Sequence, residues 1–267
     1  LTAVFLISPA QIPVIIFING EYWGVHFLAE KIDRYYLLGN FDEKKSKINI
    51  CRDNLKADYG SSYSYKSIIG FAIKNDLSNN SNYQKFDSLV DMGSYIDWFV
   101  AETFFQNYDW PCNNIKLWNS EKSSKWRNFL VDMDAAITEP SKKMLKRSYD
   151  IDTKRETPVN RCNFLIRNLM RNESFRKEFE SRVQKLLKKE LSYETLNKTV
   201  SKYIDDFSHP ALSSWHINRW GYPNLDDFES FEYKLTNWIK ERQSFYLKEV
   251  EAFMEDGLEF SKSPYIP

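Results

Sequence analysis

Apolar and polar positions near the start of the chain predict a β-hairpin followed by a short helix. The stretch IPVIIFINGEYWGVHFLAEKI is rich in β-branched and aromatic residues on both sides of Asn19-Gly20. Asn-Gly is the strongest short hairpin signal, because both residues tolerate a positive φ angle. Asp33 is a suitable cap for a helix that runs to about Phe41. We therefore expect strand, turn, strand and helix in that order.

The following residues predict short strands separated by polar loops. Residues 47–52 (KINICR) have the composition of a strand. Segments 53–67 and 75–83 are rich in Ser, Tyr and Asn, which predicts loops. Between them, SIIGFAIK is predicted to be a short strand that ends at Lys74.

Helical spacing begins near Tyr83 and dominates the rest of the chain. Ser94 can cap a helix through residues 95–105 that stops near Asn107. The helix cannot continue through Pro111, which lacks an amide hydrogen and restricts the residue before it. Two short strands are then predicted, at 115–119 and 126–132. Beyond Pro140 the apolar residues recur mainly with a period of 3.6 residues, which predicts helices.

The order of these elements predicts an α+β fold with two lobes. A strand-rich amino-terminal lobe covers residues 1–80, and a mainly helical lobe covers residues 81–267. The chain begins at Leu1 rather than Met, so we expect an upstream portion, including any signal region, to be missing from it. The length is sufficient for a hydrophobic core without metal ions or disulfides.

Composition excludes some classes of protein. Hydrophobic residues make up 42% and charged residues 28%, with 37 basic and 37 acidic side chains. The zero net charge argues against a dedicated nucleic-acid binder, and no apolar run approaches the ~20 residues that span a membrane. The three cysteines lack paired spacing, so neither a zinc site nor a disulfide framework is predicted. Eight Trp residues suit an aromatic core, although sugar-binding proteins also use exposed aromatic rings.

Four oxygen-bearing side chains are placed where phosphoryl-transfer enzymes of the kinase type carry their chemistry. Asp109 and Asn114 follow the predicted helix, five residues apart, and Asp132 and Asp134 end the second strand of the predicted hairpin. In kinases an Asp accepts the proton of the acceptor hydroxyl, while an Asn and a second Asp hold Mg²⁺. Mg²⁺ prefers such oxygen ligands. The alternative is that these residues cap turns or form a solvated strand end.

Several longer motifs resemble the CotH kinase family, an atypical protein-kinase-like fold. They are NGEYWGVHFLAEKID, NYDWPCNNIKLW, KWRNFLVDMDAA, NFLIRNLMRNESFRKEFESR and HINRWG, and they extend from about Val14 to about Gly221. The resemblance implies a kinase that uses ATP and Mg²⁺ or Mn²⁺ to phosphorylate Ser or Thr hydroxyls of a protein substrate. It also implies an exported, cell-surface or spore-coat location.

Carried over by position, the resemblance assigns roles to single residues. Asp109 would be the catalytic base, with Asn114 and Asp132 as metal ligands. Asp134 would be an alternative ligand or would hold a ligand in place by hydrogen bonding. Glu30 would pair with a cation that binds the ATP phosphates, and that cation is Lys74 or, less favoured, Arg52.

Three departures from the family pattern keep other functions open. No glycine-rich phosphate loop is visible, although 19–21 could act as a short cover. The expected residues before the hairpin are missing, and Ala-Ala-Ile follows Asp134 where the family has an aromatic residue and Gly. A catalytically inactive kinase-like scaffold is therefore the first alternative. A carbohydrate-active protein with Asp109 and Asp132 as its carboxylate pair is the second, and the oligomeric state stays open.

Overall fold

A computed structural model describes residues 6–43, 47–150, 163–207, 209, 212–221 and 225–260 of the 267. The described part is mixed α+β, as predicted. Its strands form two small antiparallel sheets: β1 Gln11–Ile18, β2 Glu21–Ala29, β3 Ile48–Arg52, β4 Lys56–Tyr59, β5 Lys116–Ser120 and β6 Arg127–Phe129.

The described helices are short in the first half of the chain and longer in the second. They are α1 Arg34–Asn40, α2 Tyr63–Lys74, α3 Asn80–Asp87, α4 Met92–Phe104, α5 Met144–Tyr149, α6 Phe164–Met170, α7 Glu173–Lys188, α8 Tyr193–Phe207, α9 Ser214–Trp220 and α10 Leu225–Leu258. The mainly helical region beyond Pro140 is confirmed. None of these helices is both long and apolar enough to cross a bilayer.

The amino-terminal hairpin forms as predicted. β1 and β2 pair in antiparallel register, and the turn residues Asn19 and Gly20 have φ angles of 53° and 84°. Those positive angles are the reason for the Asn-Gly dipeptide. The Asp33 side chain accepts hydrogen bonds from the first amides of α1, so the predicted helix cap is also confirmed.

The second sheet has the strand order β4-β3-β5-β6. Its central pair, β3 and β5, brings together residues on both sides of position 80, with Ile50 opposite Trp118. Ile48, Ile50, Trp118 and Phe129 form a small buried core on this sheet. The division into lobes at residue 80 stays a prediction.

Two of the predicted local structures are wrong. SIIGFAIK belongs to helix α2, and parts of the segments predicted as loops form β4 and the beginnings of α2 and α3. The buried residues of α2 are Tyr65, Ile68, Ile69 and Ala72. Counted from Tyr65, the buried residues follow at distances of three, four and seven positions, which is the spacing of one helix face. Burial of this face against the main core stabilises the helix relative to a strand.

Helix α4 runs through the main core and is buried on all sides. Its cap is Asp91, whose carboxylate accepts the Ser94 amide, so the helix begins two residues before the predicted cap. Every residue from Tyr95 to Phe104 is buried. The end of this helix is consequently a fixed point from which the next loop departs.

The long helix α10 holds the end of α4 through one buried side chain. Arg242 donates to the carbonyl oxygens of Thr103 and Phe104 at 2.9 and 2.8 Å, and pairs with Glu249 at 2.7 Å. It also reaches the carbonyl of Pro140 at 2.9 Å. Helix ends leave such carbonyls without intrahelical partners, so Arg242 caps α4 from a distant part of the chain.

Candidate functional site

The candidate residues lie on two segments that run side by side. One leaves the end of α4, and the other follows β6. The Tyr108 amide donates to the Ala135 carbonyl at 3.2 Å, and the Ile137 amide donates to the Phe105 carbonyl at 2.7 Å. These two bonds fix the segment of Asp109 against the segment of Asp132.

Asn114 and Asp132 are brought together directly. The main-chain carbonyl of Asp132 accepts a hydrogen bond from the Asn114 side-chain amide at 3.1 Å. Asn107 donates to the same carbonyl, also at 3.1 Å. Asn114 and Asp132 have φ angles of 60° and 53°. Asn and Asp adopt this left-handed region more readily than other residues with a side chain, which explains the residue types.

The three aspartates influence one another electrostatically. The pKa of Asp132 is raised, first by partial burial, then by the charge of Asp134 and a hydrogen bond with it, and then by the charge of Asp109. All three side chains are exposed. Asp132 and Asp134 therefore share a hydrogen bond at the surface, and the charge of Asp109 is near enough to act on Asp132.

The loop that carries Asp109 is anchored by buried and charged groups. Trp110 packs edge-on against Trp98 and Phe99 of α4. Arg147 donates to the carbonyls of Tyr108 and Trp110 at 2.5 and 2.9 Å. Asp109 thus lies between two fixed carbonyls.

Two further contacts on this loop went unpredicted. The Asp53 carboxylate accepts the Ile115 amide at 2.8 Å, which ties the loop to the end of β3. Cys112 is disulfide-bonded, although the spacing of the cysteines does not predict a disulfide framework.

A buried carboxyl group supports the site from within α4. Glu102 is fully buried and accepts the Asn107 amide at 2.9 Å, and Asn107 in turn holds the Asp132 carbonyl. Burial raises the pKa of Glu102 to about 8. Sequence reasoning missed this residue, although a carboxylate within an otherwise apolar helix is a signal, because a buried acid needs a partner.

The three predicted phosphate-site residues are not joined to one another by any contact found in the described part of the chain. The Glu30 carboxylate accepts the Ala10 amide at 2.9 Å and the Asn40 side chain at 3.4 Å. Arg52 forms an ion pair with Asp58 at 2.7 Å, and Lys74 is exposed in the last turn of α2.

Lys116 is a cation near the site that sequence reasoning missed. It follows Asn114 by two residues, and its ammonium group donates to the Ile32 carbonyl at 2.8 Å and approaches Asp58 at 3.3 Å. It is directly opposite Arg52 in the sheet. Two cations and one shared carboxylate therefore lie where the central strands β3 and β5 meet the Asp109 loop.

The donor types of the site suit a hard divalent cation, but their placement does not form a metal site. Within the described ranges, no group of three or more His, Cys, Asp or Glu side chains is placed so that it could hold a metal ion. Asp132, Asp134 and Asn114 supply oxygen donors of the kind that Mg²⁺ and Mn²⁺ prefer. The mutual effect of the carboxylates on the pKa of Asp132 is a repulsion that a bound cation would relieve.

A comparison with protein families decides the classification. The model of the family described as CotH kinase protein matches residues 3–246. The chain belongs to this family. The match includes every candidate residue from Glu30 to Asp134, and membership in the CotH kinase family indicates a kinase-like function. No curated protein matches the chain significantly in sequence.

Proposed function

We propose that this CotH family member transfers the γ-phosphoryl group of ATP to a Ser or Thr hydroxyl of an exported or surface protein, in spore-forming cells a coat protein. The observation that carries the proposal is the meeting of Asn114 with Asp132, beside Asp109 and Asp134. The contact is made through the Asp132 main-chain carbonyl. It supports the proposal because Asn and Asp are the residue types that phosphoryl transfer uses to hold its metal ion.

In the proposed reaction Asp109 orients the acceptor hydroxyl and accepts its proton. The hydroxyl oxygen forms a bond to the γ-phosphorus, and the bond from that phosphorus to the leaving ADP oxygen breaks. Asp132, Asp134 and Asn114 would hold a divalent cation. Such a cation supplies positive charge that offsets the charge on the transferring phosphoryl oxygens.

Three residues are candidates for the cation that binds the α and β phosphates of ATP: Lys74, Arg52 and Lys116. Arg52 and Lys116 lie at the end of the central strand pair, where Asp53 holds the Asp109 loop, whereas Lys74 ends a helix. We therefore favour Arg52 and Lys116 over Lys74. Asp58 neutralises part of their charge, and nucleotide binding would compete with it for them.

An inactive kinase-like scaffold is the second candidate function. The observation that favours it is the state of Glu30, whose carboxylate is occupied by Ala10 and Asn40 rather than by a cation. A scaffold would keep the fold and the loop contacts but would not bind nucleotide.

Nucleotide binding and transfer together test the proposal. ATP with Mn²⁺ at about 100 times its dissociation constant should raise the melting temperature by on the order of 5 °C, because the ligand binds only the folded state. Asp132→Asn should remove this shift. Asp109→Asn should keep the shift but lower phosphoryl transfer from labelled ATP by at least about 100-fold.

The matched control is Asp87→Asn, an equal charge change at an exposed ion pair on α3. It should alter neither measurement. Absence of any nucleotide-dependent shift in the unmodified protein would refute the kinase proposal and favour the scaffold. Unchanged transfer by Asp109→Asn would remove Asp109 from the mechanism.

A further inference from the structure

An apolar pocket of about 540 Å³ lies beside the acidic site. Its walls come from β2, the end of α4, the segment after Asp134, and helices α8 and α10. Pockets that bind small molecules typically have 300–1,000 Å³, so the volume suits a ligand. Residues that represent each wall are Phe27, Phe105, Ile137, Val200, Phe207 and Trp238.

The lining determines what kind of ligand fits. None of the described residues that line the pocket is charged. The hydroxyl of Thr199, one of its few polar groups, already donates to the Thr195 carbonyl at 2.9 Å. The other polar groups of the lining are the Tyr203 hydroxyl and the Trp238 ring N–H, which is buried without a hydrogen-bond partner. These neutral groups cannot replace the hydration of a charged ligand. The pocket therefore selects for hydrocarbon.

The mouth of the pocket exposes large apolar side chains to solvent. Phe27 and Phe231 are 56% and 57% exposed, while Trp238 and Ile239 at the base are buried. Contiguous exposed apolar surface marks binding sites more often than isolated exposed residues do. A peptide would bring main-chain amides into this mouth, where apolar rings offer them no partners, so we favour a small hydrocarbon group over a peptide.

Two wall residues belong to the segments that carry the candidate site. Phe105 precedes Asp109 by four residues, and Ile137 follows Asp134 by three. The Ile137 amide donates to the Phe105 carbonyl, and Ile137 has a φ angle of 56°, which is rare for a β-branched residue. Contacts from a ligand to both side chains would stabilise this strained pairing.

We propose that the pocket binds an uncharged hydrocarbon group, an aliphatic chain or an aromatic ring of a small molecule. Its occupancy stabilises the pairing of the Asp109 and Asp132 segments. Binding at this pocket does not depend on phosphoryl transfer, so it can be tested whether or not the chain is an active kinase.

The experiment uses the full chain and the uncharged fluorescent probe N-phenyl-1-naphthylamine. One probe should bind per chain, and straight-chain alcohols from hexanol to decanol should displace it. Each added methylene should tighten their binding about fourfold, as the burial of apolar surface requires. Non-saturable binding, or affinity that does not rise with chain length, would overturn the proposal.

Substitutions in the pocket test whether the probe binds there. Val200→Phe fills the pocket from α8 and should weaken binding at least tenfold. Phe231→Ser changes an exposed residue at the mouth, leaves the fold intact, and should weaken binding several-fold. The control is Leu258→Phe, which adds a ring at an exposed position of α10 and should change nothing.

A second measurement tests the link to the acidic site. Saturating octanol should slow amide hydrogen exchange at Ile137, and the effect should be lost in Val200→Phe. Unchanged exchange in the unmodified protein would refute the link. If the chain dimerises at the concentrations that exclude the probe, the pocket is an interface between copies and the proposal fails.

Discussion

At the scale of single residues, the Asp132 carbonyl accepts hydrogen bonds from two side-chain amides that differ in their surroundings. Asn114 comes from the exposed loop, whereas Asn107 is buried and is itself held by Glu102. Burial raises the pKa of Glu102 to about 8, so at neutral pH this carboxyl is largely protonated. The geometry near Asp132 therefore rests on a buried acid in its neutral form.

Replacement of this acid should change how stability depends on pH. The folded protein holds the Glu102 proton up to about pH 8, whereas the unfolded chain releases it near pH 4.3. Between these values the folded state binds more protons, so the free energy of unfolding falls as pH rises, by up to about 1.4 kcal/mol per pH unit. Glu102→Gln should lack this part of the slope.

Urea unfolding of both proteins at several values from pH 5 to 9 measures the effect. The Gln side chain can still accept the Asn107 amide, so the variant should fold normally and gain relative stability toward pH 8. A stability difference that stays constant across this range would show that Glu102 titrates normally in the folded protein.

The order of a helix, a loop and a strand end selected Asp109, Asn114 and Asp132 as candidates, the family resemblance assigned their roles, and those roles stay predictions. The order of elements did not reveal the support of Glu102 or the cation Lys116. Their partners are the Asn107 side chain for Glu102, and Ile32 and Asp58 for Lys116. The Lys116 contacts depend on sheet pairing over 50 residues or more, which a local pattern does not contain.

At the scale of elements, the amino-terminal hairpin is held to α9 by close backbone approach. Trp220 donates to the Trp23 carbonyl at 2.7 Å, and the Val25 amide donates to His216 at 3.2 Å. Gly24 lies between them, and a Cβ atom there would be 2.9 Å from the Trp220 ring nitrogen. The motif HINRWG therefore has a structural role in docking this hairpin.

Gly24→Ala should loosen that docking. The residue has a φ angle of 141°, which side chains rarely adopt, and the added methyl also meets the two rings. We expect a loss of about 1–3 kcal/mol in the free energy of unfolding. The control Gly39→Ala lies in α1 with no atom near its Cβ, so it should be neutral or stabilise by up to about 1 kcal/mol. Equal effects of the two substitutions would contradict the close-approach explanation.

Comparison of the elements also shows where local sequence does not suffice to predict secondary structure. The hairpin and α1 were predicted because Asn19-Gly20 and Asp33 act within a few residues. Helix α2 was predicted as a strand because SIIGFAIK is short, apolar and rich in Ile, and such runs are ambiguous by periodicity. Burial of Tyr65 and Ile69 against the core favours the helix over the strand for this segment.

At the scale of the whole molecule, Arg242 joins helix α10 to the end of α4 and pairs with Glu249 of its own helix. Both side chains are buried, and Arg242 satisfies carbonyls of Thr103 and Phe104. A buried pair is costly to break on one side, since the remaining charge loses its partner.

Arg242→Met should therefore destabilise the protein by about 3–5 kcal/mol in urea unfolding. The double substitution Arg242→Met with Glu249→Gln should recover part of this loss, because it removes the charge that lost its partner and keeps an oxygen for the Leu145 amide. If the single variant has an unchanged free energy of unfolding, the end of α4 does not require the hydrogen bonds from Arg242.

The sheet that joins β3 to β5 has a consequence for biosynthesis. A ribosome that adds about 5–20 residues per second delivers Ser120 several seconds after Arg52. During that interval the nascent chain carries the unpaired edge of β3, with Ile48 and Ile50 unshielded. Unpaired apolar edges template aggregation. The interval between the synthesis of β3 and that of β5 is therefore the stage at which we expect this sheet to be most prone to aggregation.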